Sequence, residues 1–262
     1  MDVCIAAGVE SARNPEPAAR GDEGMVIRAA ADATAAGNSE PSGRSHLRCD
    51  VVVGQHSVVG AFEAERLSEV LSQDLDTPHE GPTAAVAAVV RRGGGGPEML
   101  FIERAIRNGD PWSGHMAFPG GRTEPDDDDT FDTAVRESRE EIGFDITAHA
   151  GVHWLGRLND LEGNPRWRGA ALRVTPHVCW LEGDRPALTL NYEVADALWV
   201  SVAELADPKH HIDYLYPPRP DERFPGIEVG HGRVVWGMTL RMLQDLFTRT
   251  GHPLPITFSP SS

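Results

Sequence analysis

The chain has 262 residues, a formal net charge of −16 and 40% hydrophobic residues. That is length and apolar content enough for a sizeable globular core. The acidic balance argues against general binding of nucleic acid or of anionic membrane, although local arginines or metal ions can still invert the field at a small anionic site. Cys4, Cys49 and Cys179 share no paired spacing, so neither a disulfide framework nor a zinc site is expected. Reduced cysteines suit the cytoplasm, and no apolar run reaches membrane-spanning length.

Residues 1–60 are rich in Ala, Gly and Ser with little apolar periodicity, which predicts a disordered N-terminal extension with neither a secretory nor a mitochondrial signal. Phe62, Leu67, Val70, Leu71 and Leu75 recur at helical spacing, so a helix over Ala61 to Leu75 opens the folded domain, taken as 61–252. Thr83 to Val90 and Met99 to Arg104 read as strands of a hairpin around Gly93 to Gly96. Arg104 to Ala117 reads as a loop, in which Trp112 either contacts a ligand or plugs the core edge. Further strands are expected at Val152 to Leu158, Leu172 to Leu181, Ala197 to Ser201, Ile227 to Val229 and Arg233 to Val235. Pro176 suggests an edge strand or a bulge. A short helix follows Ser201, His210 to Pro225 reads as a loop, Trp236 to Thr248 as the closing helix, and 253–262 as a flexible tail. The order of elements predicts a layered α/β single domain.

The stretch Phe118-Pro-Gly-Gly-Arg-Thr-Glu-Pro-Asp-Asp-Asp-Asp-Thr130, continuing to Phe144, carries the chemistry. Asp129 or Thr130 can cap a helix that ends at Gly143. On it Glu137, Glu140 and Glu141 fall at i, i+3 and i+4, which places three carboxylates on one side. Unpaired like charges at that spacing cost helix stability, so either solvent screens them or a cation sits among them. Hard divalent ions such as Mg²⁺ or Mn²⁺ take carboxylate oxygens. The Gly120–Gly121 turn before the helix lets backbone approach a ligand closely. The run Asp126 to Asp129 reads as a solvated loop plus helix cap.

Arg136-Glu137-Ser138-Arg139-Glu140-Glu141-Ile142-Gly143-Phe144 resembles the signature of Nudix hydrolases, with Ser138 where that family has an apolar residue. Between Gly121 and Arg136 the chain is one residue longer than the family pattern. Counting back from Arg136, the family's first Glu falls on Asp128, and Glu124 is displaced. The resemblance covers roughly Thr83 to Phe247. It implies a mixed β-sheet sandwiched between helices (α/β/α) and a Mg²⁺- or Mn²⁺-dependent hydrolase of diphosphate linkages. Glu137 and Glu141 are then metal ligands. Glu140 is a third ligand or the group that takes a proton from water. Gly120 or Gly121 adds a backbone carbonyl. Arg136 orients the glutamates, and Glu193 is an accessory ligand or base, or else an exposed loop acid.

Arg104-Ala105 and Gly114…Phe118-Pro-Gly-Gly121 are similar to an extra signature of the coenzyme A diphosphatase branch, as is Val235-Trp-Gly-Met-Thr239. Asp110 stands where that signature has a second Arg, and Arg107 can serve instead. This implies a coenzyme A-like substrate cleaved to phosphopantetheine and adenosine 3′,5′-bisphosphate, met by Arg104, Arg107, His115 and Gly120. Arg157, Arg166 and Arg168 pair with phosphates or solubilise loops. ADP-ribose, NADH, a dinucleoside polyphosphate or a nucleoside triphosphate is the alternative substrate, and an inactive binding module or a calcium-binding scaffold the alternative class. A homodimer is a further expectation; nucleic-acid and membrane partners are not expected.

Overall fold

A computed structural model describes residues 57–74, 81–107, 112–163 and 171–256. Two short helices come first, α1 (Val58–Ala61) and α2 (Ala64–Val70). They correct the expectation of one helix over Ala61 to Leu75 and of disorder up to residue 60. The chain breaks at Phe62 and Glu63 because Phe62 turns inward, fully buried, to meet the ring of Phe247 with centroids 4.6 Å apart. The rest of the expected N-terminal extension, and Leu75, lie outside the described residues.

Strands β1 (Thr83–Gly93) and β2 (Gly96–Arg104) form the expected hairpin, joined by a two-residue turn. They pair only near that turn and then diverge. The segment from β3 (Met116–Ala117) to β4 (Gly120–Arg122) wedges into the gap, β3 on β2 and β4 on β1, and Ala87 donates to the Pro119 carbonyl at 2.8 Å. The expected Gly-Gly turn is thus a short strand.

Helix α3 (Thr130–Ile142) follows. Asp129 accepts a hydrogen bond from the Asp132 amide at 2.8 Å, and Gly143 closes the helix in the left-handed region at φ 66°, as their positions predict. Next come β5 (Val152–Arg157), β6 (Leu161–Glu162), β7 (Arg173–Leu181) and β8 (Val194–Ser201). β7 runs parallel to β1, with β5 and β6 antiparallel on its far side, while β8 covers the outer edge of β2. The edge expected at Pro176 is corrected: β7 is central. The Pro176 carbonyl accepts from Leu158, which lies in the gap between β5 and β6. A residue's N–H and C=O point the same way in a strand, so the missing proline N–H faces that gap and costs the β1 ladder nothing.

The remaining elements are α4 (Val202–Ala206), β9 (His211–Leu215), β10 (Arg223–Glu228), β11 (Val234–Trp236) and α5 (Gly237–Arg249). β9 to β11 make a second, antiparallel sheet, which corrects the expected loop over His210 to Pro225. Aromatic residues hold it together, with Tyr214, Tyr216 and Phe224 all packing on Trp236. The tail expected from Pro253 is packed as far as Ile256: Leu254 is buried and Gln244 donates to the Ile256 carbonyl at 2.6 Å.

The main sheet lies between two helical layers. Ala84, Ala88 and Val90 of β1 face the layer of α5, with Leu240, Leu243, Leu246 and Phe247. Ala85, Ala87 and Val89 face α3, with Ala134, Val135 and Ile142. This is the expected α/β/α sandwich, and the small alanines Ala85 and Ala87 of β1 let α3 approach the sheet closely. On the α3 face His177 is buried and held neutral, its pKa lowered to about 4 by that burial. Its ring bonds Thr130 at 3.0 Å and accepts from Trp154 at 3.2 Å, tying the start of α3 to β5 and β7.

Ser138 lies fully buried beneath α3, and among the described residues its hydroxyl has no hydrogen-bond partner. A buried unsatisfied hydroxyl costs about 1–3 kcal/mol, and alanine is also the better helix former. Ser138→Ala is therefore expected to raise stability by about 1 kcal/mol in chemical denaturation, whereas most buried substitutions lower it.

Candidate active site

A cavity of about 600 Å³ opens between the main sheet, the start of α5 and the aromatic face of the second sheet. Glu137, Glu141 and Glu193 line its acidic end together with Gly120, Gly121 and Arg104. His115, Tyr216 and Trp236 form an aromatic wall, with His115 edge-on to both rings at 5.5 and 4.7 Å. Leu172, Met238 and Met242 line an apolar side. Trp112 also lines the cavity and is 39% exposed, which places it at the rim and not in the core.

The three helix acids separate. At about 100° of helix turn per residue, Glu141 sits about 40° from Glu137 on one side and Glu140 about 60° on the other. Glu137 and Glu141 enter the cavity. Glu140 does not line it; its side chain is 54% exposed and sits 3.3 Å from Arg136. Glu141 is only 2% exposed, accepts the Gly120 amide at 2.9 Å, and has Arg104 at 3.8 Å. Burial pushes its pKa up to about 7, the Gly120 amide and Arg104 opposing that rise, and burial also raises the pKa of Glu137.

At Gly121 a side chain would displace the Glu137 carboxylate. A Cβ there would lie 2.3 Å from Glu137 Oε1. The absent side chain is the space through which the helix carboxylate reaches the cavity. Gly120 does not offer a free amide to a ligand, because its N–H is already given to Glu141.

Arg136 holds the acids from behind. Its Nε and Nη2 each bond Asp127 at 3.0 Å, Nη1 bonds Glu137 at 3.0 Å, and Nη2 donates to the Arg122 carbonyl at 2.8 Å. This network holds the Asp127 carboxyl below the ordinary aspartate range and raises the Arg136 pKa. Asp127 is the Arg136 partner that counting back from Arg136 missed: Asp128 is exposed, and Glu124 stands 4.0 Å from Arg136. The extra residue before the helix shifts the role by one position. Within an unbroken aspartate run only the three-dimensional turn, closed by the Glu124 amide and Thr133 on Asp127 Oδ2, shows which acid turns inward.

Arg107 does not line the cavity. Its guanidinium bonds Glu193 at 2.8 Å and rests 4.4 Å over the ring of Tyr192. Arg157 pairs with Asp160 at 2.9 Å, a structural role, and Arg166 and Arg168 lie outside the described residues.

The donor set fits a hard divalent cation. Glu141 is buried and Glu137 partly so; Arg104 stands 3.8 Å from the first and Arg136 bonds the second at 3.0 Å, yet burial still raises both pKa values, so the ionised pair is short of positive charge. Among the described residues no three His, Cys, Asp or Glu side chains already form a metal-ligand cluster.

The Nudix domain family matches residues 81–218, more than half of the chain, and the chain belongs to that family. Among curated relatives, it is 33% identical over 140 residues to an uncharacterized protein of Schizosaccharomyces pombe, covering 53% of this chain and 40% of that one. It is 33% identical over 92 residues to the mitochondrial coenzyme A diphosphatase of Mus musculus, covering 34% and 42%. It is 28% identical over 153 residues to an uncharacterized Nudix hydrolase, NudL, of Yersinia pestis, covering 57% and 71%. The chain thus spans about two fifths of the length of the first two. Among the described residues no helix is long and apolar enough to cross a membrane.

The raised pKa of Glu141 has a stability consequence. Its folded-state pKa of about 7 lies above the ordinary 4.5, so folding favours the protonated acid. Stability from this group is full below about pH 4.5 and is lost as pH rises through 7. Without divalent cation, Glu141→Gln is expected to be more stable than wild type at pH 8, by on the order of 1–3 kcal/mol, with the difference vanishing near pH 4. Denaturant melts at both pH values check this.

Proposed function

We propose that this chain is a divalent-metal-dependent hydrolase of the diphosphate linkage in a nucleoside diphosphate derivative, with coenzyme A or its thioesters as the preferred substrate. The observation that carries the reading is the convergence of Glu137, Glu141 and Glu193 beside the Gly120–Gly121 strand at one end of a cavity of about 600 Å³. A solvated acidic helix face does not bury a carboxylate to 2% exposure.

Glu137 and Glu141 would hold the cation, Mg²⁺ or Mn²⁺. When bound, it offsets phosphate charge and makes water more acidic. Arg104 stands at the same end and can meet a phosphate as a fixed guanidinium fork. Glu193 lines the cavity and is the acid we assign to accept the proton of the attacking water, in preference to Glu140 on the outer side of the helix. Arg136 touches no substrate; pinned on Asp127, it orients Glu137.

Coenzyme A fits the remaining walls. Its adenine is planar and suits the aromatic side at Tyr216 and Trp236, while a pantetheine or acyl arm suits the flexible, apolar Met238 and Met242. The Gly114…Phe118-Pro-Gly-Gly pattern and the partial likeness to the mouse coenzyme A diphosphatase point the same way. A reducing compartment such as the cytoplasm suits the buried free thiol of Cys179.

The test is product analysis with Mg²⁺ or Mn²⁺ on coenzyme A, ADP-ribose, NADH and dinucleoside polyphosphates. Phosphopantetheine is expected to form fastest, and Glu141→Gln to cut turnover at least about a hundredfold, the scale of losing one preorganised electrostatic group. Wild-type turnover in folded Glu141→Gln overturns the site. Faster cleavage of another substrate overturns the coenzyme A assignment alone.

A further inference from the structure

We propose that Asn191 is a positioning residue, which fixes Glu193 against the end of α3 and so sets where that acid stands in the cavity. The inference rests on the reading of Glu193 as the proton acceptor.

Two elements distant in sequence meet at this point. The segment before β8 runs across the C-terminal end of α3, where helix carbonyls lack intrahelical partners. Thr189 donates its amide to the Ile142 carbonyl at 2.9 Å, and Asn191 donates its amide to the main-chain carbonyl of Glu141 at 2.9 Å. The backbone of Asn191 is therefore fastened to the residue whose side chain is the most buried acid of the site. Its own side chain then turns forward, and Oδ1 accepts the Glu193 amide at 2.7 Å. The Glu193 carbonyl accepts from the Ala105 amide at 2.7 Å. Both main-chain polar groups of Glu193 are thus held, one from α3 through Asn191 and one from the end of β2.

Asparagine suits this position for a physical reason. A short side-chain oxygen two residues before an amide closes a local turn. The same turn made by aspartate would add another negative charge beside Glu137, Glu141 and Glu193. The amide gives the geometry without that charge. Arg107, which bonds the Glu193 carboxylate at 2.8 Å, acts on the side chain and not on its backbone, so it does not replace the Asn191 bond.

The experiment compares Glu193→Gln, Asn191→Ala and Asn191→Asp with wild type. It reads kcat and KM at saturating Mg²⁺, Mn²⁺ affinity by calorimetry, and melting temperature. Asn191→Ala is expected to lower kcat about tenfold, the size of one lost hydrogen bond, with KM within about twofold and Mn²⁺ affinity unchanged. Asn191→Asp keeps the acceptor and is expected to restore kcat to within about threefold of wild type. Should Asn191→Ala not fold, Asn191→Leu removes the acceptor with the volume kept and takes its place. Wild-type kcat in the variant lacking the acceptor, while Glu193→Gln is impaired, overturns the inference. So does an Asn191→Asp as impaired as that variant. Full turnover by Glu193→Gln overturns the assignment of Glu193 itself, and the inference with it.

Discussion

A carboxylate that is almost wholly buried, with a second and a third nearby, is the constraint around which this structure is arranged. Glu141 has one backbone amide and one arginine at 3.8 Å to offset its charge. Glu137 shares Arg136 with Asp127 and Glu140. Like charges so placed oppose folding unless a cation joins them. Several local features serve to hold them there regardless. The Asp129 cap and the left-handed Gly143 fix both ends of α3. The Asp127–Arg136 fork fixes the rotation of Glu137, and the bare Gly121 leaves room for its carboxylate. A site that costs stability in this way is expected where a fold carries function.

The sheet supplies the opening. Because β1 and β2 pair only near their turn, the chain from Met116 to Arg122 can enter between them and bring Gly120 and Gly121 to the helix acids. The opposite wall comes from β9 to β11 and α5. Trp236 ends β11 and directly precedes α5, so one residue joins the aromatic wall to the methionine-lined side. Thr239 of α5 donates to the Met116 carbonyl at 3.1 Å, tying that wall to the inserted strand. Much of this wall lies beyond the residues matched by the Nudix domain family, which end at 218.

Much of this was legible in the sequence where local rules and tertiary packing agree. The capped acidic helix, the glycine hairpin, the short helix after Ser201 and the closing helix all lie within a few residues of where periodicity and capping place them. What the sequence hid depended on contacts made from afar. Phe62 breaks a helical pattern because Phe247 waits across the core. Pro176 sits in a central strand because its neighbour is interrupted opposite it. β9 is read as loop because its proline- and tyrosine-rich surroundings look irregular until Trp236 packs on them. In the site, spacing alone put Glu140 with its neighbours, although the helix angle turns it outward. Asp127 could not be told from Asp128 within a run of four aspartates, and Arg107 could not be known to face Glu193.

The central claim, that Glu137 and Glu141 form a cation site, is tested most directly by melting metal-free protein at pH 8 over a titration of Mn²⁺. An ion that binds only the folded state raises the melting temperature with its concentration. Wild type is expected to show that rise and Glu141→Gln to lose most of it. An equal response of the two proteins, or none in wild type, would contradict the claim.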